Sequence, residues 1–534
     1  MKLQATLVAL LLGSLAIAQN PFQQPGVGGG QRQGRQGAGQ IPPTEPGAEA
    51  AQQSLTPLQQ LHAATPTKEW VKTSHVWHGH GASVSYTATC GFIPIKNADD
   101  QTEAEMFFVA YTKDGADRLT RPVTFAFNGG PGSSSVWLHM GALGPMRAKM
   151  NNDGSLPAPP FDLVENEESW LPFTDVVMID AIGTGFSRPS SAATGKQFYG
   201  LQGDLSAFTA FIKGYLTMGE RWRSPIIVAG ESYGGIRVAG LAYTLLQQGI
   251  AVNGIISISG VMNFGTIDSG KDNDLPYISY LPAETAVAFY HHKLSPGLQS
   301  DFDRTIKESE TFASGEYAAA LMKGNGISAN ERKHVVNRLA ELTGLSQSYV
   351  DRAELRIPAG GFRAELLRDR WDIVGRYDGR LIGHNATGIN QNPEYDPSDA
   401  ATTPVFTASF NDYISHDLNF HTEETYRPTA YGMIGPWDYG TQGGYPDTTE
   451  MLRRAVEQNP HMRVMLCCGW YDLACPYFGM RYAIDHLGEQ AKLQGNFRFR
   501  YFPAGHMMYI DTPSREKLVT DVAAFFRDAT APGR

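Results

Sequence analysis

The sequence predicts an α/β fold: a mostly parallel central sheet flanked by helices, with a largely helical insertion. Three observations carry this. Short apolar runs alternate with stretches of helical spacing between about Val84 and Ser259. One of these runs, Ile226 to Ala229, passes directly through Gly230-Glu231-Ser232-Tyr233-Gly234 into a helical pattern. The strand rhythm stops after about Phe264 and resumes at Arg463.

Taken from the start of the chain, the first 18 residues have the pattern of an export signal. Lys2 supplies a positive charge, and Ala5 to Leu15 is apolar apart from Thr6, Gly13 and Ser14. Ala16-Ile17-Ala18 follows as a small-x-small cleavage site. The apolar run falls short of the roughly 20 residues that span a bilayer. No later stretch is long and apolar enough to do so, and no Cys follows the signal to carry a lipid. The expectation is a secreted or periplasmic protein without an integral membrane segment once the signal is removed. Residues 19–54, rich in Gln, Gly, Pro and Ala, lack periodicity and bury too little to offset chain entropy, so they read as a disordered segment.

Within the remaining chain, Val84 to Ile95 and Met106 to Tyr111 read as meander strands. Val123 to Phe127 is a short apolar strand ending in Asn128-Gly129-Gly130-Pro131-Gly132, and Asp175 to Ile179 is another. Asp204 is placed to cap a helix carrying Leu205, Phe208, Ile212 and Tyr215. Gly235 to Gln248 continues as a helix with Gly249 as its stop, and Gly254 to Ser259 gives the next strand. Helical stretches such as Asn330 to Leu342 then mix with polar loops. Asp447 and Glu450 resemble a capping box before the strands Arg463 to Cys468 and Phe497 to Phe502. The organisation expected is a signal at 1–18, a disordered segment at 19–54, a core at 55–264 and 445–534, and an insertion or lid at 265–444.

Composition bounds the function. The 534 residues are 42% apolar and 18% charged, which suits a large buried core. A net charge of −10 and the absence of basic runs argue against nucleic acid. Four cysteines (Cys90, Cys467, Cys468 and Cys475) make no disulfide framework, although an exported protein could pair two of them.

The chemistry centres on Gly230-x-Ser232-x-Gly234. Between a strand and a helix, this motif is a nucleophile elbow, the mark of the α/β-hydrolase fold. Serine at its ordinary pKa is a poor nucleophile and needs a base held by a third group. The fold orders these as Ser, then Asp or Glu, then His. Asp472 follows one late strand and His506 follows the next, each where a loop leaves the carboxyl end. His461 lies at the wrong end of its strand, and His416 and His421 lie inside the insertion. For the oxyanion hole, Tyr233 offers the N–H after the nucleophile. The Asn128–Gly132 turn, at Gly130, offers the second donor.

With these residues in place, the chain resembles the serine carboxypeptidases. Asn128-Gly129-Gly130-Pro131-Gly132-Ser133-Ser134-Ser135 resembles the family's NGGPGxSS signature, and Gly230-Glu231-Ser232-Tyr233-Gly234-Gly235 matches GESYGG. Asn166-x-x-Ser169-Trp170, Gly183-Thr184-Gly185-Phe186-Ser187 and the neighbourhoods of Asp472 and His506 are similar too. The resemblance runs from roughly Lys68 to the C-terminus and is weakest in the insertion. It implies removal of C-terminal residues from peptides or proteins without metal or cofactor. It also implies that Asn128, Gly129 and Glu231 hold the substrate carboxylate. Glu231 can do so only when protonated, which links binding to acidic pH.

The sequence departs from the family in two places. Ala142, in Gly141-Ala142-Leu143-Gly144-Pro145, stands where the family commonly has a second Glu. Ser133 stands where many members have a bridged Cys. Cys475 resembles a position that is Cys in some members, and it reads either as a thiol near the site or as a small core residue. His75, His78 and His80 read as a polar strand edge, and His291-His292 as solvated. Trp437, Tyr439 and Tyr445 read as packing residues near the end of the insertion, and Asn385-Ala386-Thr387 is a glycosylation sequon. Esterase or acyltransferase chemistry on the same triad is the alternative function.

Overall fold

The computed structural model describes residues 70–531 apart from 271, 431–434, 441–443 and 489–494. The signal and the disordered segment expected at 1–54 lie outside the described residues. Strands β1 (Val71–Gly79), β2 (Ala82–Lys96) and β3 (Thr102–Lys113) form an antiparallel meander. Six further strands run parallel to one another: β4 (Val123–Phe127), β5 (Asp175–Ile179), β6 (Ile226–Glu231), β7 (Gly254–Ile258), β8 (Arg463–Gly469) and β9 (Phe497–Phe502). Their spatial order is β1-β2-β3-β5-β4-β6-β7-β8-β9, with β5 antiparallel to β3 at the join. A two-residue strand, Arg188–Pro189, pairs with β3 off this path.

Every residue of β4, β5, β6 and β7 is buried, which is why these segments read as unbroken apolar runs rather than alternating ones. Successive side chains still point to opposite layers. Val177 and Ile179 pack with Phe208 and Leu241, while Val176 and Met178 pack with Val522 and Phe525. Helices α1 (Leu201–Met218) and α2 (Gly234–Gln247) supply the first layer. Between β7 and β8 the chain is mainly helical, with α3 (Leu275–Tyr290), α4 (Ala329–Thr343), α5 (Ala359–Glu365) and α6 (Pro397–His416). A small hairpin, Asp372–Val374 with Ile382–His384, sits between α5 and α6. Helix α7 (Thr449–Gln458) leads into β8, and α8 (Thr512–Ala529) closes the second layer. Among the described residues no helix is long and apolar enough to cross a membrane.

Four local readings differ from the sequence-based expectation. Asp204 lies within the first turn of α1, whose N-cap is Gly200, and its carboxylate pairs instead with Arg237. Helix α7 has Thr448 at its N-cap; Asp447 accepts from the Thr449 N–H at 2.8 Å, and Glu450 pairs with Arg453, so no reciprocal cap forms. His291 is half-buried and bonds the Gly379 carbonyl through Nε2 at 2.7 Å rather than facing water. The Asn385 side chain of the sequon is buried rather than on the surface and accepts from the Glu394 N–H at 3.1 Å. The histidine cluster does lie at a sheet edge, on β1 and the turn after it. All four cysteines are free and buried.

Candidate active site

The carboxyl ends of β4, β6, β8 and β9 lie at one end of the sheet, and Asn128–Gly132, Glu231–Tyr233, Asp472 and His506 lie at or just beyond these ends. Ser232 comes directly after β6 with φ +62°, a left-handed conformation forced on a non-glycine residue. It is held there from both sides. Its N–H donates to Ile258 O at 3.1 Å, and its carbonyl accepts from Gly235 at 2.8 Å. A side chain at Gly230 would collide with Gly234 O, so the tight turn requires glycine there. Glu231 and Tyr233 are buried while Ser232 is only half-buried, so the turn presents the hydroxyl alone.

His506 and Asp472 form a buried pair, 1% and 0% exposed. His506 Nδ1–H donates to Asp472 Oδ2 at 2.8 Å. The other carboxylate oxygen accepts from the Ala474 and Cys475 N–H groups at 2.7 and 2.9 Å, which fixes the carboxylate plane. Burial lowers the His506 pKa, but Asp472 outweighs it and the net shift is upward. No hydrogen bond joins Ser232 Oγ to His506 among the described residues; the hydroxyl is within reach of the Cys475 sulfur instead. Bonds of this kind commonly tighten only with substrate in place. Cys475 is therefore both of the things its sequence suggested, a buried thiol and a neighbour of Ser232; burial pushes its pKa well up and keeps it protonated.

The Asn128–Gly132 turn packs against the elbow so closely that a Cβ at Gly129 would collide with Tyr233 N and Glu231 O. Neither Gly130 N–H nor Tyr233 N–H donates to another backbone group among the described residues. Arg237 on α2 locks the turn in place. Its Nη1 donates to Asn128 O at 2.5 Å, while Nε and Nη2 reach Asp204 at 2.7 and 3.1 Å.

Asn128 Oδ1 accepts from Leu138 N–H at 3.0 Å, which directs its amide nitrogen toward Glu231 and Tyr509. Glu231 Oε2 accepts from the Tyr509 hydroxyl at 2.7 Å. Burial drives the Glu231 carboxyl up to about 7; His506 and the Tyr509 and Asn128 hydrogen bonds oppose that rise, and Asp472 adds to it.

Tyr509 was invisible to sequence reasoning. Its ring lies against Gly141, where a Cβ would strike the ring edge, beside the small Ala142. A phenol thus donates to Glu231 in a chain that lacks the second carboxyl. The helical turn carrying Ala142, His139–Leu143, is fixed at its end by Asn166, whose Nδ2 donates to Ala142 O and Gly144 O at 2.9 and 2.8 Å, and by Ser169 Oγ on Leu143 O.

A second missed element is segment 376–379, from the helical region between β7 and β8. Leu473 N–H donates to Arg376 O at 3.0 Å, Gly379 N–H to Tyr471 O at 2.9 Å, and His506 N–H to Tyr377 O at 2.6 Å. The Tyr377 ring lies 5.2 Å from the His506 ring. Trp437 packs edge-on against Tyr233 and donates to its hydroxyl at 3.2 Å, and Tyr439 packs on Phe264.

Comparison with known proteins adds family information. Residues 80–506 match the family model for serine carboxypeptidase. Pheromone-processing carboxypeptidase kex1 of Aspergillus niger is 27% identical over 281 residues, 52% of this chain and 40% of that protein. Its Saccharomyces cerevisiae counterpart is 33% identical over 170 residues, 30% of this chain and 22% of that protein. Serine carboxypeptidase-like 36 of Arabidopsis thaliana is 31% identical over 158 residues, covering 29% of this chain and 30% of its own. The matches thus span less than half the length of these relatives. The crystal structure of the S. cerevisiae prohormone-processing carboxypeptidase aligns with TM-score 0.52 and 18% identity over 82% of this chain and 91% of that one. That likeness establishes the α/β-hydrolase fold.

Proposed function

This chain belongs to the serine carboxypeptidase family, and on that premise we propose that it is exported and removes C-terminal residues from peptides through Ser232, His506 and Asp472. In this reading His506 Nε2 takes the Ser232 proton as Oγ attacks the scissile carbonyl. The N–H groups of Gly130 and Tyr233 receive the developing oxyanion. The C–N bond breaks as His506 returns the proton to the leaving amine. Water, deprotonated by His506, then releases the acyl group from Ser232.

The observation that carries the reading is the Glu231 carboxyl. It is buried beside the nucleophile with a pKa near 7 and stands next to Asn128 and Gly129. A neutral carboxyl, an amide nitrogen and a backbone N–H together can donate to a carboxylate. Retention of that set favours the peptidase over the esterase or acyltransferase. Residues 265–444 act in this reading as the insertion that shapes the cleft, and the export signal at 1–18 carries the protein out of the cytoplasm.

The test is hydrolysis of one N-blocked dipeptide as free acid, C-terminal amide and methyl ester, from about pH 4 to pH 8, with Ser232→Ala as control. Preference for the free acid that fades as pH rises supports the reading. Ester cleavage alone, with no preference for the free acid at any pH, would make the protein an esterase or acyltransferase on the same triad.

A further inference from the structure

The Gly130 N–H, the oxyanion donor of the reading above, belongs to a turn with little stiffness of its own. Gly130 and Gly132 both sit at positive φ, +103° and +92°, where only glycine moves freely. An oxyanion donor is effective when it is aimed before the charge develops. The aim of this one must therefore come from contacts that the turn makes with the rest of the chain.

The Gly129–Gly130 peptide is trans and planar, so its N–H points opposite to the Gly129 carbonyl. That carbonyl accepts from the Ser133 N–H at 3.2 Å and from Arg237 Nη1 at 3.4 Å. Fixing Ser133 thus helps to fix the direction of the Gly130 N–H.

Ser133 is held on both flanks by segment 425–430, which follows α6. The segment lies antiparallel to the turn, with Ser133 paired to Thr429 and Gly185 paired to Arg427. Ala430 N–H donates to Gly132 O at 2.8 Å, and Ser134 N–H donates to Pro428 O at 2.9 Å. Arg188, 1% exposed, ties down the start of the segment: Nη2 donates to Thr425 O at 2.8 Å, while Nη1 donates to Gly185 O and Ser187 O at 2.8 and 3.0 Å.

One side chain joins the turn to the segment. Asp180, directly after β5, is 1% exposed. Its Oδ1 accepts from Ser135 N–H at 2.8 Å, from Ser135 Oγ at 2.9 Å and from the Tyr426 hydroxyl at 3.3 Å. Its Oδ2 fills the space beside Gly185, where a Cβ would collide with it. The Tyr426 ring packs on Phe186 and Phe410, with centroids 4.9 and 4.2 Å away. A buried carboxylate that gathers three donors from two separate stretches of chain fixes those stretches relative to each other.

We propose that Asp180 is a positioning residue for the oxyanion hole: through Ser135 and Tyr426 it clamps the turn to segment 425–430 and so aims the Gly130 N–H. This rests on the reading above only for the triad and the oxyanion donors, not for the substrate that is cleaved.

The test uses the methyl ester of an N-blocked amino acid and the trifluoromethyl ketone of the same residue. In the ketone adduct Ser232 Oγ bonds to the carbonyl carbon, the Ser232 proton passes to His506, and the carbonyl oxygen becomes the oxyanion. The matching alcohol forms no oxyanion and reads ground-state binding. All values are taken per Ser232 labelled to completion by a fluorophosphonate, so unfolded protein drops out. Asp180→Ala should lower kcat/KM for the ester about tenfold or more and weaken the ketone by a similar factor, with the alcohol little changed. Asp180→Asn keeps an acceptor for Ser135 and should recover most of that loss. Tyr426→Phe and Ser135→Ala each remove one hydroxyl while keeping the packing, and should show the same paired loss at about threefold; they decide the matter if Asp180→Ala does not fold. Unchanged ketone affinity in the variants that fold would overturn the proposal. So would a loss that falls equally on ketone and alcohol, since Asp180 would then shape the pocket rather than aim the donor. An unaltered protein that neither cleaves the ester nor binds the ketone more tightly than the alcohol would overturn the triad reading itself.

Discussion

The Tyr509 hydroxyl donates to Glu231 Oε2 across 2.7 Å in the interior, three residues beyond His506. A hydrogen bond to the ionised carboxylate favours ionisation, so this phenol restrains a pKa that burial alone would drive higher. Tyr509→Phe removes the restraint. The Glu231 pKa should rise further above about 7, and the loss of free-acid binding should move to higher pH. The pH profile of KM for a free-acid dipeptide reads this directly; an unmoved alkaline limb would remove Tyr509 from the tuning of Glu231.

Glu231→Gln separates donor ability from titration. The amide can donate to a carboxylate at every pH, whereas Glu231 donates only while protonated, below about 7. KM for free acids should therefore lose its rise between roughly pH 6 and pH 8. Ester turnover should rise with pH in both proteins as His506 loses its proton, so only the free-acid KM separates them. If the rise persists in the variant, another group controls it.

Asp472→Asn keeps an oxygen for the Ala474 and Cys475 N–H groups but loses the charge that orients His506. Turnover should fall on the order of 10⁴-fold, as for other triads that lose this carboxylate, with the fold intact. Single-turnover kinetics with an ester, alongside circular dichroism, make the comparison. Near-normal kcat would show that Asp472 is not the orienting acid.

Arg237→Ala would strand the Asp204 carboxylate, 4% exposed, without its partner. Breaking one side of a buried ion pair costs about 3–5 kcal/mol. Urea unfolding should show that loss, and kcat should fall as well because Asn128 O loses its donor. A variant as stable as the parent would mean that the pair contributes nothing net.

Much of the fold was legible because its central strands are buried on both faces. Val123–Phe127 and Asp175–Ile179 begin and end where their apolar runs do. β1 was harder to see: its Val71–Gly79 segment alternates half-buried and exposed positions at a sheet edge and carries His75 and His78. Asp204 misled because an acidic residue near a helix start serves equally as a cap or as one half of a distant pair. Tyr509 and Arg376 left no pattern at all. What makes each notable is a neighbour some 100 to 280 positions away, such as Glu231 for Tyr509 or Leu473 for Arg376, and only the folded chain brings these together.

Segment 376–379 gives the molecule a modular constraint. Through Arg376, Tyr377 and Gly379 its backbone is stitched to Leu473, His506 and Tyr471, on both loops that carry the proposed acid, Asp472, and base, His506. Exchanging the helical region for that of a relative to alter substrate choice would therefore also swap the scaffolding behind the catalytic loops. A chimera that retains residues 376–379 of this chain should keep its chemistry while its specificity changes, and evolution of new specificities is channelled toward the helices on either side of that short strap.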